Sequence, residues 1–135
     1  MLNSVNFLSI LVFMFFVASR LHSQTPQEIA KNALGSTVLI VMEDANGQPL
    51  SLGSGFFVGD GEIASNRHVV EGAARGYVKA IGQNKKHDIE GISAIDARRD
   101  LVILKISASA SAHLAHLPLG DSDSVEIGEP VYAVG

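Results

Sequence analysis

The sequence predicts an all-β protein: an antiparallel β-barrel preceded by one short helix. Three observations predict it. After residue 35 the apolar residues fall in short, β-branched runs rather than at helical spacing. Gly, Asn and Asp turns separate those runs, as a sheet closing on itself requires. The 135 residues suffice for one domain, and 47% hydrophobic with 18% charged residues is an ordinary globular balance.

The elements follow in chain order. Phe7 to Ala18 is a twelve-residue apolar block, long enough for a signal-peptide core and too short to span a bilayer. Ala18, Ser19 and Ser23 supply the small residues of a cleavage site, so residues 1–23 are expected to be a signal peptide. Met1 to Asn6 lacks the usual Lys or Arg. An uncleaved membrane anchor is the alternative, and apart from that case no stable membrane span is expected. Residues 24–35 carry the helix. Thr25 caps it, Pro26 opens it, Glu28 completes a capping box, and Gly35 is the expected stop.

Thr37 to Met42 is the first strand, and Asp44-Ala45-Asn46-Gly47 turns it into a hairpin. Ser51 to Val58 returns, Gly59-Asp60-Gly61 turns again, and Glu62 to Ser65 leads to His68 at a strand end. Further strands are expected at Gly76 to Ile81, His87 to Ile95, Leu101 to Ile106 and Pro130 to Val134. Ser107 to Ala115 is a small-residue loop, connecting turn or weak helix. The sequence ends at Gly135 within an apolar, strand-like run, so residues 36–135 are expected to be a domain incomplete at its C-terminus.

Composition narrows the function. The formal net charge is −4 and the basic residues form only the pairs Lys85-Lys86 and Arg98-Arg99, so nucleic acid is not an expected partner. There is no cysteine, which removes disulfides and thiolate metal sites. No phosphate or calcium loop is present, and no cofactor is expected. His113 and His116 are three apart with no third ligand nearby, so no metal site is assigned to them. His87 is expected to be solvated at a strand start.

Two residues stand out as chemistry. A histidine acting as general base needs packing to hold it and an open ring nitrogen, and His68 is followed by the anchoring pair Val69-Val70. Taken alone, a core or strand-end histidine fits as well. Asp100 opens the apolar strand Leu101 to Ile106, where burial would let a carboxylate orient an imidazole. A turn-capping aspartate fits equally. Asp96 is a competitor that more simply ends its own strand. Gly53-Ser54-Gly55 marks a close approach of backbones, not a nucleophile loop.

Three segments in order, Gly-Ser-Gly-Phe-Phe-Val from Gly53, Ser-Asn-Arg-His-Val-Val from Ser65, and Asp-Leu-Val-Ile-Leu-Lys from Asp100, resemble the trypsin-like serine proteases of the HtrA/Deg type. Leu117 to Ser122 and Val125 to Gly135 are similar to the segment that opens the second barrel of that family. The resemblance spans about residues 36–135. It implies a trypsin-like fold, the first of two barrels with the second truncated. Ser65 stands where the type usually has threonine, and the hydroxyl remains. The resemblance further implies peptide-bond hydrolysis through an acyl-enzyme, with His68 as general base and Asp100 as its orienting acid. The family's nucleophilic serine and oxyanion hole lie in a Gly-rich loop of the second barrel, and no such loop falls within this chain. These residues alone are therefore expected to be an inactive N-terminal fragment of a serine endopeptidase. The expected partners are protein or peptide substrates, the location exported, either periplasmic or secreted. A lone first barrel exposes an apolar face, which predicts association, a homo-oligomer included. The alternative from a different class is a non-catalytic, secreted β-barrel that binds peptides by strand addition, or a pseudoprotease whose second barrel lacks the serine.

Overall fold

A computed structural model describes residues 24–112 and 114–135. The signal peptide expected at residues 1–23, and His113, lie outside the described residues.

Helix α1 (Pro26–Ser36) begins as its sequence requires. The Thr25 hydroxyl accepts from the Glu28 amide at 3.3 Å, and the Glu28 carboxylate accepts from the Thr25 amide at 2.8 Å. That reciprocal pair satisfies two amides that the helix itself cannot. It also holds the Glu28 carboxyl below the usual carboxylate range. The expected stop at Gly35 is one residue early. Ser36 is buried, and the Thr37 hydroxyl donates to the Ala33 carbonyl at 2.8 Å, so side chains rather than a glycine end the helix.

The sheet has seven strands: β1 (Thr37–Glu43), β2 (Pro49–Gly59), β3 (Glu62–Asn66), β4 (Arg75–Ala80), β5 (His87–Asp88), β6 (Gly91–Asp96) and β7 (Leu101–Lys105). Their order is β5-β4-β1-β2-β3-β7-β6, and every pairing is antiparallel. The two edge strands, β5 and β6, are neighbours in sequence. Between them the Ile89 amide donates to Gly76 and the Glu90 amide to Lys105, which joins both edges. A single run of chain thus closes the sheet into a barrel. The expected strand from His87 to Ile95 is this run, broken where it passes from β4 to β7.

Alternation decides what fills the barrel. Val38, Ile40 and Met42 of β1 point inward, with Phe57, Ile63, Val78, Val102 and Leu104 from the neighbouring strands. Each is at most 6% exposed. Burying such side chains stabilises by roughly 1.5–3 kcal/mol apiece, so this layer dominates the fold. His87 corrects an expectation: it is 8% exposed rather than solvated. The reason is register. It pairs directly with Val78, and residues opposite one another share a face.

The turns follow their sequence. Gly47 and Gly61 adopt positive φ, and the Asp44 carboxylate accepts from the amides of Asn46 and Gln48 across the first hairpin. Past β7, Ala108–Ser111 forms one helical turn. Pro130–Val134 is not a strand, which corrects that expectation. No strand among the described residues pairs with it, and an unpaired run has no ladder for its amides.

Candidate active site

After β3 the chain turns at once into α2 (Arg67–Val70), a single helical turn carrying His68. The histidine therefore sits on a helical turn just beyond the strand rather than on the strand end itself. Three contacts fix that turn. Val69 is 6% exposed and belongs to the core. The Ser51 hydroxyl donates to the Val69 carbonyl. Gly53 lies against the Val69 side chain so closely that a Cβ there would come within 2.6 Å of both methyls. The Gly-Ser-Gly segment is thus a close approach, with Gly53 against Val69 and Gly55 against β3.

Asp100 occupies the residue before β7. The register of β3 with β7 places Asn66 opposite Leu101, so Asp100 lies beside the start of α2. Its Oδ2 is 2.6 Å from His68 Nδ1, and its Oδ1 accepts from the His68 amide at 2.9 Å. With the carboxylate accepting, Nδ1 carries the proton and Nε2 is left as the acceptor nitrogen. The imidazole bond and then the His68 amide bond hold the Asp100 carboxyl below the usual aspartate range. The Asn66 amide acts in the same direction.

The expected burial of Asp100 does not appear: its side chain is 44% exposed, and that of His68 is 66% exposed. The carboxylate is positioned by hydrogen bonds rather than by enclosure. Asp96, the competitor, ends β6 and accepts from the Arg98 and Arg99 amides and the Arg99 guanidinium. It takes no part in the site. The Ser65 hydroxyl is buried and donates to the Ser54 carbonyl at 2.8 Å, tying β3 to β2 just before the histidine. That role was hidden in sequence, because it depends on which carbonyl lies across the strand pair. Beside the pair is a cleft of about 280 Å³ with walls from Ser54, Phe56, Ser65, Asn66, Leu101 and Val134.

The arrangement holds one imidazole in one tautomer with Nε2 open, which suits a general base. Among the described residues no serine hydroxyl is hydrogen-bonded to that ring. His113, one of the two histidines noted at 113 and 116, lies outside the described residues.

Residues 53–135 match the family described as "Trypsin-like peptidase domain". A probable periplasmic serine endoprotease, DegP-like, from Halomonas elongata is 40% identical over 86 residues, covering 63% of this chain and 17% of that protein. The anti-sigma-I factor RsgI9 of Acetivibrio thermocellus is 35% identical over 100 residues, 74% of this chain and 14% of that protein. The chain thus spans about one-sixth of the length of these curated relatives. The serine endoprotease from Yersinia pestis superposes with a TM-score of 0.64 at 23% identity, covering 78% of this chain and 37% of that one, which supports the barrel fold.

Proposed function

The chain belongs to the trypsin-like peptidase family, as a member of its HtrA/Deg type, and from that premise we propose that it supplies the histidine–aspartate half of a serine endopeptidase site. The observation that carries the reading is the double hydrogen bond from His68 to the Asp100 carboxylate. His68 Nε2 takes the proton of a serine hydroxyl as that oxygen attacks the peptide carbonyl. The imidazolium then returns the proton to the leaving amine, and the acyl-enzyme is hydrolysed by water through the same base. Asp100 keeps the ring in the working tautomer and stabilises its positive charge. The nucleophile comes from sequence outside these 135 residues, as does the oxyanion hole. The substrates are proteins or peptides. Residues 1–23 direct export, in keeping with the relatives named periplasmic.

The test uses the full gene product that carries these residues. It is expected to hydrolyse an unfolded protein substrate and to be labelled covalently by a fluorophosphonate. Asp100→Asn should lower kcat by about 10⁴-fold, and His68→Ala should abolish labelling. Hydrolysis that survives His68→Ala overturns the reading. The 135-residue chain alone should show no turnover, and turnover that His68→Ala removes would contradict the assignment of an external nucleophile. One observation favours a second, non-hydrolytic reading: RsgI9, which matches the larger share of this chain, is named as an anti-sigma factor and not as a protease. Peptide binding without hydrolysis by the full gene product would select it.

A further inference from the structure

The junction between β3 and α2 has its capping roles exchanged between two residues. Asn66 stands at the cap position, where an asparagine side chain ordinarily accepts from an amide of the first turn. Here it makes no such bond. Its Nδ2 instead donates to the Asp100 carbonyl at 3.1 Å. The first-turn amide of His68 is taken by the Asp100 carboxylate, from across the sheet.

Asp100 itself is unusual. Its φ is +55°, the one positive value at a non-glycine position among the described residues. That conformation is uncommon for a residue with a Cβ, and although aspartate tolerates it better than most, it is held in place by its surroundings. Two donors meet its carbonyl, Asn66 Nδ2 and the Arg67 amide, each at 3.1 Å, while His68 holds its carboxylate. Relaxation of φ toward negative values would swing Cβ, and the carboxylate with it, away from the imidazole.

We propose that Asn66 is a positioning residue for the His68–Asp100 pair: its amide clamps the Asp100 carbonyl, holds the left-handed backbone there, and so aims the carboxylate at Nδ1. Its bearing on catalysis rests on the proposed function, whereas the positioning itself does not. The Asn66 side chain lies at an exposed position, so its contribution is this bond rather than core packing.

Carbon-13 and nitrogen-15 spectroscopy of the 135-residue chain tests the clamp without needing hydrolysis. In Asn66→Ala the Asp100 carboxyl titration should move up toward the ordinary aspartate range. Exchange of the His68 Nδ1 proton should quicken about fivefold, as loss of one ordinary hydrogen bond implies. Asn66→Ser keeps a good cap residue but cannot reach the carbonyl, and should behave like Asn66→Ala. Asn66→Gln restores a reaching amide and should return both signals toward the parent. An unchanged pair in Asn66→Ala overturns the proposal. So does restoration by serine, which would make Asn66 a cap and nothing more, or failure of glutamine to restore. A full gene product without hydrolysis, but with these responses intact, would remove only the functional reading.

Discussion

Gly53→Ala probes how tightly the histidine turn is seated. The new Cβ would lie 2.6 Å from both Val69 methyls, well inside van der Waals contact. Val69 cannot easily yield, because its carbonyl is held by Ser51 and its side chain is in the core. Overpacking of this kind costs about 1–3 kcal/mol, while replacing a strand glycine by alanine returns about 0.5–1 kcal/mol of backbone entropy. The net expectation is destabilisation of up to about 2.5 kcal/mol, and about 1 kcal/mol at mid-range. Val69→Ala alone removes two buried methyl groups and should cost about 1.5–3 kcal/mol, from transfer at about 0.8 kcal/mol per group plus the cavity left behind. Together the two changes relieve each other, since the methyl introduced at position 53 enters the space the Val69 methyls leave. The double variant should therefore be more stable than the sum of the single effects by about 1 kcal/mol. Urea denaturation of the four proteins, followed by circular dichroism with a common m-value, measures the cycle. Additive effects within about 0.3 kcal/mol would refute the reasoning, because they would mean that Gly53 and Val69 do not press on one another.

Two further outcomes are expected. Asp100 has a carboxyl whose affinity for protons is lower in the folded chain than in the unfolded one. Its contribution to stability is therefore present above the ordinary aspartate pKa and fades as pH falls toward the lower folded value. Asp100→Asn should flatten that part of the acid denaturation profile, and an unaltered profile would count against the pairing. Thr25→Ala removes the helix cap and should cost about 1 kcal/mol of α1 stability, read as faster amide exchange in the first turn with the barrel amides unaffected.

Much of the fold was legible because the local signals agree. Thr37 to Met42 is β-branched and apolar, the Asn-Gly turn follows it, and no competing helical period runs through the barrel. The errors come where a partner elsewhere in the chain decides. His87 looks solvated beside two lysines, yet its register with Val78 puts it inside. Pro130–Val134 has strand composition but no strand beside it among the described residues. Gly35 resembles a stop, yet the helix runs one residue further and the Thr37 hydroxyl closes it. At the site, His68 and Asp100 were readable through their flanking motifs. Asn66 was not, since its partner is a carbonyl 34 residues away whose orientation depends on one backbone angle. The contact between Gly53 and Val69 was half legible: the glycines announced a close approach but not what approaches.

The run from β5 to β6 that joins the two edges of the sheet also lies between the two members of the pair, which are 32 residues apart. A nascent chain can make the hairpins of β1, β2 and β3 early, since their contacts are local. It cannot bring Asp100 to His68 until the chain has run on through β7 and β7 has paired with β3. The site rides on the pairing of β3 with β7, so parting of those two strands separates base from acid at the same moment. The pair thus reports the docking of β7 on β3: a barrel in which those strands have not met has no oriented histidine to offer, whatever nucleophile is at hand.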